Sequence, residues 1–476
     1  MTPNEFEVQK KNAIKEFKYI ISKYILPLFD TSSSLKYVCS TEYNKELVTI
    51  EDGDEISTVH FYPFISEEGQ PTDFHYSIET YSSNSLKKRV ESILRELLKV
   101  SEYNCKKYSR QRYYGIGDAR EKAYKNRTLD LAFELGMCKW LTNNDKETAI
   151  LHELISKMID WSSRTYEGKK VPFGIVIDFK KHSIDNAADY LHFLDNDSSA
   201  VFTDGIFSGI LLDDEGKVLS FLTNESTAGI AIDSSKEIFV PYQFISIAKL
   251  CYDSAIGIIA LTNGEIIIVK NHSICFAKRG QKWVAFDWAR VQSNLRPYFI
   301  YAGNTDEKEI NKKIKTIFCT LLDVSFSHSG GCMALVLPEY IKKIGETVKE
   351  RIDLFGLGQE LDGISKESKE KIEILTYLLT YSNSHLRSFF EIEKPLRKEI
   401  LSLDGATVLA MDGTFFCAGS IVAVGGGSSG GGRTAATKKL AEYGIAIKIS
   451  EDGYIEAYGK DISGNKQGII RLFSFK

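Results

Sequence analysis

Through residues 1–30 apolar side chains return every three or four positions, at Ile14, Phe17, Ile20, Ile21, Tyr24 and Ile25, which predicts one amphipathic helix. This common helical spacing favours a face turned to a core over one laid on a membrane or a partner. From 35 to 82 the pattern changes to short runs rich in aromatic and β-branched residues, KYVCSTEY, ELVTIED, ISTVHFYPF and FHYSIETYS, and these predict strands. Helical periodicity comes back in NSLKKRVESILRELLKVSEY and in DKETAILHELISKMIDWSSRTY. Residues 1–145 are therefore expected to form an α+β N-terminal domain whose role the residues do not reveal.

Beyond 168 strands dominate, in KKVPFGIVIDF, TDGIFSGILLDDEGKVLSFLT, GIAID, EIFVPY and AIGIIALTNGEIIIVKNHSICFAKRGQKWVAFDW. The DEGK and TNGE cores between apolar runs are hairpin signals, because their glycines supply positive φ. This predicts a β-rich middle domain over 146–297. After 298 helices in DEKEINKKIKTIFCTLLD and ESKEKIEILTYLLTYSNSHLRSFFEIEKPLRKEILS alternate with apolar strands in GCMALVLP, GATVLAM, TFFCAGSIVAV, GIAIKIS and GYIEAYG. Such alternation predicts an α/β domain over 298–476, and α/β is the fold class expected for the chain. The middle and last blocks also share an order, FGIVI before TDGIFSGILLDDEGKVLSF and CMALVL before LDGATVLAMDGTFFCAGSI. That order suggests a partial repeat, although unrelated hairpins entered at Asp-Gly look much the same and the spacings differ.

Composition adds little that is special. The 476 residues are 43% apolar and 26% charged with a net charge of −4, which argues for an ordinary folded chain and against a general nucleic-acid binder. The most basic stretch, KKYSRQRYYGIGDAREKAYKNR at 106–127, is read as a solvated loop and helix face. Eight cysteines lie far apart without a CxxC pair, as reduced and mostly buried thiols of a cytoplasmic protein do. No signal-peptide pattern opens the chain, and no uncharged apolar run approaches the roughly 20 residues of a membrane span, so no membrane association is expected.

The candidate chemistry lies near the C-terminus. AVGGGSSGGGRTAATKKLAEYG, residues 423–444, runs a glycine loop into a helix that stops at Gly444. A loop of this kind presents backbone N–H groups and the positive end of the helix dipole to an anion. Gly430, Gly431 and Gly432 give the amides, Thr434 is placed to cap, and Arg433 stands where its guanidinium can clamp a phosphate. The loop matches neither the P-loop nor the dinucleotide fingerprint. Asp404 opens a strand in SLDGATVLAM, with Gly405 and Ala406 behind it, and Ser450, Glu451 and Asp452 follow another strand in KISEDGYIEAY. Carboxylates from these strand ends are candidate ligands of one Mg²⁺ or Mn²⁺ beside the phosphates, against the plain alternative that DG and EDG are turn chemistry.

In this order GCMALVL, LDGATVLAMDGTFFCAGSIV, GGGRTAAT and IAIKISEDGYIEAYG, over about 328–462, resemble the diadenylate cyclase family, whose motifs are a GALIV strand, DGA, GTRHRAA and SEE. The resemblance implies a mixed sheet flanked by helices, two domains face to face as a homo-oligomer, a divalent metal, and ATP or a cyclic dinucleotide as ligand. By position Asp404, Gly405 and Ala406 match DGA, Ala435 and Ala436 end the loop motif, and Ser450, Glu451 and Asp452 match SEE. Asp404 and Arg433 are then the residues expected to carry any catalysis, and Asp404, Glu451 and Asp452 the metal. Where the family carries Arg-His-Arg, this chain has Gly432, Arg433 and Thr434. The loss of cationic groups there predicts a nucleotide sensor, with an active nucleotidyltransferase making cyclic di-AMP as the alternative.

Overall fold

A computed structural model describes residues 3–29, 35–39, 46–51, 57–63, 74–80, 84–100, 119–166, 169–182, 187–195, 203–225, 237–347, 366–380, 387–422, 432–462 and 468–476. Gly430 and Gly431, most of the glycine loop, the expected strand GIAID and the first part of the basic stretch lie outside these residues. The chain divides into two compact units, Met1–Ile238 with Ser246–Phe286, and Phe239–Ile245 with Asp287–Lys476. The expected boundary at 145 falls inside the first unit, and the one at 298 falls inside a helix of the second.

In the first unit the opening apolar stripe forms helix α1 (Pro3–Ile20), a π turn at Ile21–Ile25 and α2 (Leu26–Phe29). Strands β1 (Lys36–Val38), β2 (Val48–Glu51), β3 (Ser57–Phe61) and β4 (His75–Thr80) make an antiparallel sheet in the order β1-β4-β3-β2. Helices α3 (Asn84–Val100), α4 (Ala119–Leu141) and α5 (Asp145–Ser163) follow. α4 takes up the end of the basic stretch, where Arg127 is exposed, and beyond that stretch it buries Leu129, Phe133, Met137 and Cys138. After the two-residue strands β5 (Thr165–Tyr166) and β6 (Lys169–Lys170) come β7 (Phe173–Asp178), α6 (Tyr190–Asp195), β8 (Ser208–Leu212) and β9 (Val218–Thr223). Then follow α7 (Ile245–Leu250), which starts at the join of the two units, β10 (Ala255–Ala260), β11 (Ile266–Lys270), β12 (Ser273–Arg279) and β13 (Lys282–Ala285).

β7 pairs parallel with β8 and antiparallel with β10, in a seven-stranded mixed sheet ordered β13-β12-β11-β10-β7-β8-β9. All six residues of β10 are buried, as expected of a central strand covered on both faces. One apolar cluster runs from Phe17 through Leu94, Leu154 and Ile175 to Phe276 and Ala285, so α1 to α5 and this sheet share a core.

The second unit begins with α8 (Trp288–Tyr301), capped by Asp287 and carrying Pro297 within it, and α9 (Glu307–Ser327), capped by Asp306. Strand β14 (Gly331–Val336) leads to α10 (Ile341–Thr347), α11 (Lys366–Leu379) and α12 (Lys394–Leu401). Then come β15 (Ala406–Ala410), β16 (Phe415–Ser420), α13 (Gly432–Ala441), β17 (Gly444–Ile449), β18 (Ile455–Lys460) and β19 (Ile469–Phe475). The six-stranded sheet is ordered β16-β15-β14-β17-β18-β19, with β14 parallel to β15 and every other pair antiparallel. A mixed α/β fold was expected and is present; β19 and α8 were not foreseen. EIFVPY, expected as a strand, forms only a β-bridge at Phe239 and then passes after Pro241, a residue that cannot donate to a ladder, into a short 3-10 segment at Tyr242–Phe244.

That segment packs within the second unit. Phe239 stacks on Trp288 with centroids 4.4 Å apart, Lys394 donates to the Val240 carbonyl, and the Tyr242 N–H donates to Asp323 of α9. Asp323 is buried, and its second oxygen, Oδ2, has no partner among the described residues. Burial pushes its carboxyl up to about 6, against the opposing pull of Lys394, the Tyr242 N–H and Arg397. The folded protein therefore holds this proton where the unfolded chain, at 3.8, releases it. Stability from this group is full below the unfolded value and is lost as pH rises toward 6, by about 1.4 kcal/mol per unit of separation. Urea unfolding from pH 4 to pH 7 is expected to show this loss in the wild type and a flatter profile in Asp323→Asn. Identical pH slopes would remove the assignment.

Candidate functional site

The site is built on three ends of the second unit's sheet. At the first, α12 closes through a turn and Asp404 projects fully exposed before β15. Gly405 follows with φ 104, donating its N–H to the Asp404 carboxylate at 3.1 Å. A Cβ at Gly405 would lie 2.5 Å from the carbonyl carbon of Gly419, so the position requires glycine on two counts, its φ and the approach of β16.

At the second end, Arg433 sits in the first turn of α13. Its Nη1 donates to Glu451 at 2.9 Å, and its Nη2 lies 3.8 Å from Asp404. Asp404, Arg433 and Glu451, distant in sequence, therefore meet. The guanidinium rests against Gly330, where φ is 68 and a Cβ would come within 2.6 Å of Nη1. His328 caps α9 in the left-handed conformation, and its Nδ1 is 2.8 Å from the Glu451 carbonyl oxygen. Gly330 and His328 were not among the expected site residues, and the backbone reversal after a long helix is the only signal they give.

The third end is β17. Lys448 reaches from it to donate to Thr434 Oγ1 at 2.9 Å and to pair with Glu456 at 3.7 Å. Glu456 is buried, which raises its pKa, but Lys476 and Lys448 outweigh this and hold it below the usual carboxylate range. Lys448 was missed from the sequence; its signal is a lone charge in the apolar strand GIAIKI. The cleft accordingly carries two cations, where one was expected. Thr434, expected as the helix cap, lies inside a helix that starts at Gly432 and serves as the Lys448 acceptor instead.

These groups border a cleft of about 550 Å³. Asp404, Gly405, Gly432, Arg433, Thr434 and Lys448 form its polar side, and Cys332, Ala406, Ile421, Val422 and Ala436 its apolar side, with Ser420 between. Cys332 is buried beside Thr437, and burial lifts its thiol to about 11 despite that hydroxyl and the nearby Arg433 and Lys448, so it stays protonated at neutral pH. Ser450 is used by the β17–β18 hairpin, accepting from the Tyr454 N–H, and neither it nor the exposed Glu451 and Asp452 line the cleft, Glu451 reaching it only through its pairing with Arg433. Ala435 is half-buried in α13 and likewise does not line it. Among the described residues no three His, Cys, Asp or Glu side chains are gathered as a metal cluster.

Chemically, two cations and a helix N-terminus on one side of an apolar recess suit an anionic ligand with a flat or apolar part. No helix among the described residues is long and apolar enough to cross a membrane. No family model, no curated protein and no solved structure matches the chain. Gly405→Ala is expected to lower stability by about 1–3 kcal/mol, from strain at positive φ and collision with the Gly419 backbone. Thermal unfolding checks this, and an unchanged melting temperature would show that the β15–β16 approach is not fixed.

Proposed function

We propose that the second unit is a diadenylate cyclase-like nucleotide-binding domain in a cytoplasmic sensor protein, taking ATP or a related cyclic dinucleotide. The observation that carries the reading is the convergence of Asp404 and Glu451 on Arg433, in a cleft lined by Asp404, Arg433 and Lys448. Arg433 and Lys448 would receive the phosphates, and the apolar side formed by Ala406, Ile421 and Val422 would receive the base. Phosphate oxygens would then compete with Asp404 and Glu451 for the guanidinium. Those carboxylates, released, are hard oxygen donors for Mg²⁺ or Mn²⁺. Asp404 lines the cleft and Glu451, outside the lining, is tied to it through Arg433, so these two donors fit such an ion only together with oxygens of the ligand. Bound metal would supply charge neutralisation for the phosphates.

Arg433→Ala is expected to weaken ATP binding by about 1.5–3 kcal/mol, as for loss of a charge-assisted hydrogen bond, and Asp404→Asn to act mainly when Mg²⁺ is present. Calorimetry with and without Mg²⁺ reads both. Equal affinity of wild type and Arg433→Ala would take the α13 junction out of the site.

A sensor follows from the replacement of Arg-His-Arg by Gly432, Arg433 and Thr434, which removes transition-state stabilisation more than ground-state contacts. The second reading, a working cyclase in a homo-oligomer, is favoured by Lys448, a cation that partly makes good the loss. Prolonged incubation with ATP and Mn²⁺ followed by mass spectrometry separates the two. No cyclic dinucleotide is expected, and Asp404-dependent production of one would establish the enzyme.

A further inference from the structure

The two units carry the same sheet. In each, a central strand (β7, β14) runs parallel to the strand after it (β8, β15), which turns back into an edge strand (β9, β16). On its other side the central strand pairs antiparallel with the first strand of a meander, β10-β11-β12 or β17-β18-β19. The turns match bond for bond. Leu261 N–H donates to Glu265 O and Gly264 N–H to Leu261 O, as Ser450 does to Tyr454 and Gly453 to Ser450, all at 2.9 Å. Asp213 and Lys217 with Gly216 repeat Ala410 and Thr414 with Gly413 in the same way. All four glycines have φ between 79 and 90.

Counting back from both pairs of turns gives one consistent register. Ile175 pairs with Ile258 and Ile210, and Met333 pairs with Ile447 and Thr407 at the corresponding places. The duplication is therefore carried by these turns. The Asp204-Gly205 and Asp404-Gly405 pairs that first suggested it do not coincide in this register.

The matched register exposes a swap of volume. Where the second unit has Cys332, Ala406 and Ala446 on its sheet, the first has Gly174, Gly209 and Gly257; where α13 has Ala436, α7 has Ile247. Ile247 is buried and fills the space over the three glycines, since Cβ atoms built on them would lie 2.9, 3.7 and 3.2 Å from its side chain. Ala436 lines the open cleft instead. The cation of β17 is absent from the first copy as well, with Ile259 at the place of Lys448.

We infer that the first unit is a sealed copy of the nucleotide cleft, that the chain takes one nucleotide, and that Ala436 is the residue whose smallness keeps the second copy open. As a statement about nucleotide this rests on the function proposed above; as a statement about packing it does not. The test is Ala436→Ile in the full chain, with Ala436→Val as the smaller step should the first fail to fold. Calorimetry with ATP and Mg²⁺ is expected to give one site in the wild type and at least ~100-fold weaker binding in the variant. Wild-type affinity in the variant, or a second ATP that persists in Arg433→Ala, would overturn the inference. Should the wild type bind no ATP, the functional reading fails, and a crystal structure of Ala436→Ile still decides the packing. The new side chain seated over Cys332, Ala406 and Ala446 supports the sealed-copy relation, and one turned to solvent refutes it. Ile247→Ala should lower the melting temperature, and an unchanged value would mean that Ile247 seals nothing.

Discussion

The site depends on one guanidinium having room to reach two carboxylates. Arg433 finds that room because residue 330 has no side chain, and residue 330 immediately precedes β14, the strand that β15 and β17 both pair with. The pairing that orders the sheet thus also sets the distances from Arg433 to Asp404 and Glu451. Exposed ion pairs of this kind contribute only about 0–1 kcal/mol each, too little to draw three chain segments together. Their geometry is inherited from strand register, which is held by buried backbone bonds and apolar side chains such as Met333, Ala446 and Ile447.

What could be read from the sequence follows the same division. α1, α3, α5 and α9 show one-sided periodicity and were legible. α4 mixes charged and apolar residues around its circumference and α8 carries Pro297, so neither announced itself. EIFVPY has strand composition, but Pro241 removes the donor a ladder needs. In the site, Asp404, Gly405, Arg433 and Glu451 were legible because turn chemistry and charge stand together there. Lys448 was not, because its meaning lies in which face of β17 it occupies, and that is decided by pairing with β14. Thr434 and Ser450 had the right residue types, but their hydroxyls were taken by Lys448 and by a hairpin.

Comparison of the two units separates what makes this fold from what makes its cleft. The fold survives with glycines or alanines on the sheet and with isoleucine or alanine on the covering helix, provided the volumes add up. In the second unit, with alanine on the covering helix, the volumes fall short and a cleft is left. A recess in such a sheet is thus a deliberate deficit in packing, and its stability cost is borne by a core that is otherwise filled, from Val408 and Cys417 to Leu440.

The mixed pairing of β14 has a consequence for how the cleft comes into being. β17 and β18 meet across a tight turn, and β15 and β16 do the same, so each hairpin forms from neighbours in sequence. β14 joins β15 only after the chain from 337 to 405 has looped back, and it must slide in beside β17 as well. Closing such long loops precedes any reward from the contacts they allow, which makes this insertion the slow event. Asp404 travels with one hairpin and Lys448 with the other. The moment at which they face each other is therefore timed by a strand that lends the cleft only Cys332.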